Sequence, residues 1–132
     1  MLLDSSKGHT GDQAALLSPT LTLSAPALLT FSYHMLLNDT DTVGTLSVYR
    51  FSVLHTYDQV LFQVRGNSGE RWESAYVCLR AGEYQLAFVG TVGLPSLSDI
   101  AIDDIVVWKN TNCFVQQLFP SEGICYLLFA CC

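Results

Sequence analysis

The sequence predicts an all-β fold, a sandwich of antiparallel sheets with few or no helices. Apolar and polar residues alternate with period two in one run after another, as they do on half-buried strands. Stretches rich in Gly, Pro, Asn and Ser separate the runs: NDTDTVG at 38–44, RGNSGER at 65–71, RAGE at 80–83 and GLPSLS at 93–98. No long apolar pattern of period 3.6 competes with them.

Taken in order, a short opening strand is expected at Met1–Asp4, followed by Asp12–Ser18. In Ala27–Leu36, Leu29, Phe31, Tyr33 and Met35 share one face, with Thr30, Ser32 and His34 on the other. Leu46 and Val48 alternate with polar neighbours in Thr45–Val53. Gln59–Val64 and Ser74–Leu79 come next, the latter entered from a glycine-bearing turn and Trp72. Tyr84, Leu86 and Phe88 define the core face of Glu83–Val92, whose other face is also partly apolar. The last run, Asp99–Trp108, contains SDIAIDDIVVW and the adjacent aspartates Asp103 and Asp104. Strict alternation puts these two on opposite faces, so one carboxylate is expected where a core residue should stand. Such a carboxylate needs a cation, hydrogen-bond donors or a raised pKa.

A chain of 132 residues suits one domain, and with 50% hydrophobic and 14% charged residues it has the composition of a folded core. Its formal charge of −6 and six scattered Lys and Arg argue against nucleic acid or acidic lipid as partners. No apolar stretch approaches the roughly 20 residues of a membrane-spanning helix. The beginning, MLLDSSKGHTGD, does not read as a signal peptide. The five cysteines include no CxxC pair and no Cys/His set at zinc spacing. Composition changes after Lys109. Residues 110–132 lose the alternation, hold four of the five cysteines and end in an apolar cluster, so they are read as a divergent tail to a domain at 1–109.

The order of motifs resembles the MAM domain, the extracellular module of meprin, A-5 protein and receptor phosphatase mu. MLLDSS is followed by GDQAALLSP at 11–19, LTFSYHM at 29–35, GTLSVY at 44–49 and GNSGERWESAYVCL at 66–79. YQLAFVGTVG at 84–93 and SDIAIDDIVV at 98–107 complete the series. The resemblance implies a jelly-roll β-sandwich used without chemistry, in adhesion or oligomer assembly, at the cell surface or in secreted proteins. It also implies a structural calcium ion at the Asp-Asp pair, here Asp103 and Asp104; the alternative is that one of the two braces a loop through backbone N–H groups while the other is solvated. Asp4, Asp12 and Asp99 are further acidic candidates by supposition, outside what the resemblance implies. Three departures accompany it. The family's opening segment is missing, so the chain reads as N-terminally truncated. Leu28 stands where the family has a cysteine, which deprives Cys113 of its expected partner. Cys78 falls outside the family pattern and is read as a small buried hydrophobe.

The expected function is therefore protein recognition, homophilic or heterophilic, within a larger secreted or membrane-anchored protein. No catalytic residues are assigned: the serines lack a GxSxG elbow, and the histidines His9, His34 and His55 lie far apart. Asn38-Asp39-Thr40 is a glycosylation acceptor in a turn. One alternative is a carbohydrate- or small-ligand-binding jelly roll, in which Trp72 or Trp108 would act as a stacking platform. The two tryptophans do not cluster in the sequence, which ranks that reading second. An accessory domain of an extracellular protease and a nonfunctional processing product complete the alternatives.

Overall fold

The computed structural model describes residues 2–4, 9–37, 44–52, 57–66, 69–93, 98–111 and 113. Among them are nine strands and no helix. The strands are β1 (Leu2–Asp4), β2 (Gln13–Leu17), β3 (Leu21–Leu23), β4 (Ala27–Leu37) and β5 (Thr45–Phe51), followed by β6 (Tyr57–Arg65), β7 (Glu73–Leu79), β8 (Gly82–Thr91) and β9 (Ser98–Trp108). A four-stranded sheet runs β1-β9-β4-β7, and a five-stranded sheet runs β2-β8-β5-β6 with β3 also on β8. All pairings are antiparallel. This is a jelly-roll β-sandwich.

Alternation explains the core. Leu29, Phe31 and Met35 from β4 meet Leu46 and Val48 from β5 and Leu86 and Phe88 from β8, all nearly or fully buried. Phe31 lies at the centre, edge-to-face with Phe62 of β6 and with Phe88, both at 5.3 Å between centroids. Edge-to-face packing sets the positive ring edge against the negative face and adds to the area buried. Ser47 is buried as well, and the Gln63 amide donates to its hydroxyl at 3.0 Å.

Strand β3 was not foreseen. It follows β2 along the same edge of β8, β2 opposite Ala87–Thr91 and β3 opposite Gly82–Tyr84. Pro19 has no N–H to donate, and Ser18 fills the gap between the two strands. Its hydroxyl accepts the Leu86 N–H at 2.8 Å, its N–H donates to the Leu86 carbonyl at 2.9 Å, and its carbonyl accepts from Gln85 at 2.6 Å.

Candidate functional site

The outward face of the four-stranded sheet carries the features that the core does not explain. Its central strand is β4, with β7 on one side and β9 on the other. Register places Leu28 between Cys78 and Trp108, Thr30 between Tyr76 and Val106, and Ser32 between Ser74 and Asp103.

The aspartate pair does not lie as alternation predicts. Both side chains are exposed, and neither carboxylate occupies a core position. The reason is a bulge in β9. Thr30 pairs with Val106 but Ser32 pairs with Asp103, so Asp104 and Ile105 together oppose Phe31. Asp104 adopts the left-handed region at φ 54°, and its N–H donates to Asp103 Oδ1 at 2.8 Å. The extra residue reverses the phase of the strand: Ile100 and Ile102 face the core before the bulge, and Val107 packs against it afterwards. The bulge therefore removes the buried carboxylate that strict alternation would have required.

A calcium ion takes six to eight oxygen ligands. Among the described residues no three His, Cys, Asp or Glu side chains gather to hold a metal. Asp4 and Asp99 are register partners at the far end of β9, and Asp12 is engaged in its own turn by the His9 N–H at 2.7 Å. Among the described residues, then, acidic side chains alone do not assemble such a ligand set.

Cys78 is not a free buried hydrophobe. It forms a disulfide with Cys113, across 35 residues of sequence and with 5.9 Å between Cα atoms. Leu28 packs against the bridge and is the register partner of Cys78. The half-cystine expected on β4 has in effect moved one strand sideways, to the position directly opposite. The bridge fastens Cys113 to β7. Asn38, His55, Asp39, Thr40 and the three tail cysteines lie outside the described residues.

Beside the bridge the face is hollowed into an open groove of about 510 Å³. Leu28, Thr30 and Ser32 form its floor, with Tyr76 on the β7 side and Trp108 and Asp104 on the β9 side. Trp108 is 54% exposed and Tyr76 44%. The Trp108 indole N–H donates to Thr30 Oγ1 at 3.0 Å, which fixes the ring across the floor. Trp72, 53% exposed, lies further along the face with its ring 5.6 Å from that of His34, so His34 is a ring-packed residue of the surface. Sequence reasoning singled out Trp108 and Trp72 but missed Tyr76 and Thr30, which register alone brings to the groove. Tyr76 does alternate with buried Ala75 and Val77, a signal that it faces outward.

The chain is 42% identical to Neuropilin-1 of Xenopus laevis over 103 residues, covering 75% of this chain and 11% of that protein. It is 33% identical to the MAM domain-containing glycosylphosphatidylinositol anchor protein 1 of Rattus norvegicus over 117 residues, covering 86% of this chain and 12% of that protein. The chain thus spans about a tenth of the length of these curated relatives. Among solved structures, one described as "CBM4 structure and function" superimposes with a TM-score of 0.51 at 10% identity, covering 83% of this chain and 81% of that chain. That likeness is one of fold. The family model "MAM domain, meprin/A5/mu" matches residues 1–114. With that match, the shared motifs and the sandwich itself, the chain belongs to the MAM domain family.

Proposed function

We propose that this chain is a non-catalytic recognition module of a larger secreted or cell-surface protein, acting in adhesion or oligomer assembly through protein partners. The observation that carries the reading is the outward sheet face, which holds Trp72, Tyr76, Val106 and Trp108 in solvent. Large aromatic side chains held in solvent mark interaction sites, because water contact there is unfavourable until a partner covers them. The anchor in the name of one relative supports a cell-surface setting. Cys78 and Cys113 are consumed in a disulfide, which favours an oxidising compartment and leaves neither as a nucleophile.

The test is a binding screen of the tetramerised full chain against an array of secreted and cell-surface ectodomains, itself included. Saturable binding to at least one ectodomain is expected. A Trp72→Ser/Val106→Ser variant with an unchanged unfolding temperature should bind much more weakly. A chain that binds none of them, and stays monomeric in sedimentation at high concentration, would overturn the reading.

A further inference from the structure

The groove on the outward face sets aromatic and hydroxyl side chains side by side. We propose that it is a saccharide subsite, taking the neutral sugar residues of a glycan between Tyr76 and Trp108.

The volume comes first. About 510 Å³ falls in the range of small-ligand sites. Neighbouring strands lie about 4.8 Å apart, so the walls on β7 and β9 stand roughly 10 Å apart across β4, room for a ring-sized ligand between them.

The lining then selects the ligand. A sugar ring presents apolar C–H patches on its faces and hydroxyls around its edge, and needs both kinds of partner at close quarters. Tyr76 and Trp108 supply the aromatic surface. Thr30, Ser32, Ser74 and Thr111 supply hydroxyls that both donate and accept. A lipid tail or an apolar helix would leave these hydroxyls unpaired, at a cost of about 1–3 kcal/mol for each one desolvated.

Charge narrows the class further. Among the described lining residues there is no lysine, arginine or histidine, and the ionisable carboxyl is that of Asp104. The adjacent Asp103 and the net charge of −6 add to the same sign. Phosphate, sulfate and sialic acid groups are therefore repelled, and a neutral polyol is favoured. The Asp103 carboxylate is occupied by the Asp104 N–H, whereas Asp104, which lines the groove, offers a carboxylate as acceptor for ligand hydroxyls.

Preorganisation completes the case. The hydrogen bond from Trp108 to Thr30 holds an exposed indole in place before any ligand arrives. An aromatic ring already ordered loses little freedom on binding.

The experiment is titration calorimetry of the full chain with three free N-glycans: a high-mannose glycan, an asialo biantennary glycan and its sialylated form. At least one neutral glycan is expected to bind with a sub-millimolar Kd, and the sialylated form more weakly than its asialo parent. Trp108→Ala and Tyr76→Ala should each weaken binding about ten-fold, the loss of one aromatic contact. Trp108→Phe, which keeps a ring but loses the donor to Thr30, should retain part of the affinity and guards against a misfolded Trp108→Ala. Val60→Ala, exposed on β6 of the other sheet, should bind as the unsubstituted chain does. The proposal is overturned if neither neutral glycan binds at millimolar concentration, if binding survives both the Trp108→Ala and Tyr76→Ala substitutions, or if the sialylated glycan binds as tightly as its parent.

Discussion

Asp104 holds a backbone conformation that glycine adopts freely and most other residues avoid. Asp tolerates it better than most, and the bond from its N–H to Asp103 helps to keep it there. Asp104→Gly should therefore be neutral or stabilising by up to about 1 kcal/mol, whereas Asp104→Val should destabilise by roughly 1–2 kcal/mol. Urea unfolding of the two variants checks both signs. A Val variant as stable as the Gly variant would mean that the bulge reorganises. At this scale the sequence was readable only in part. The two carboxylates stood out, but a bulge announced by Asp instead of Gly has no clear signature, and strict alternation then assigns every following side chain of the strand to the wrong face.

At the scale of elements the reading was better, because most strands here are long and bury one face. Ala27–Leu37, Thr45–Phe51 and Gly82–Thr91 all follow from their alternation. Leu21–Leu23 was missed: three residues are too few to establish a period, and Pro19 and Pro26 read as loop on either side. The disulfide was missed for a different reason. Cys78 and Leu28 face each other across two strands, and register between distant segments cannot be read from either one. In the loop-entropy account, a bridge across 35 residues is worth about 4 kcal/mol. Cys78→Ala should lower stability by roughly 2–4 kcal/mol, measured by urea unfolding under non-reducing conditions. The register allows a sharper test. In a Leu28→Cys/Cys78→Leu exchange, Cys113 should pair with the cysteine now on β4, which peptide mapping of the oxidised chain would show. A free Cys113 thiol in that variant would mean that the geometry favours β7 alone. The groove escaped notice on the same grounds as the bridge, since its walls come from segments separated by tens of residues.

Across the whole molecule, the two sheets close over a core in which both contribute a tyrosine near the apolar interior. Burial raises the pKa of Tyr33, and the Glu73 carboxylate raises it further. Burial also raises that of Tyr84, against a smaller lowering by the Arg50 guanidinium, which lies 5.7 Å from the ring centroid. In the unfolded chain both phenols ionise near their ordinary value of 10.0, while in the folded chain they keep their protons to higher pH. The folded state then binds more protons than the unfolded one, so stability falls as pH rises. The contribution is fully present below pH 10 and is lost as pH climbs through the raised values. Melting temperatures should be level from pH 8 to about 9.5 and drop above it, and Tyr84→Phe should flatten that drop. The same variant gives up the bond from the Tyr84 hydroxyl to the Arg80 carbonyl, at a cost of about 1 kcal/mol at neutral pH.

The junction at Ser18-Pro19 also bears on how such a domain lives beside others. A sheet margin with a continuous row of open amides invites a foreign strand to zip along it, as in fibrils and swapped dimers. Here one margin of the five-stranded sheet is split into segments of five and three residues by a position with no amide hydrogen. The opposite margin, β6, is broken by register shifts beside Tyr49 and Phe51. Neither side offers a long straight template. Along this sheet a second copy therefore finds no long backbone row to pair with, and contact there falls to side chains.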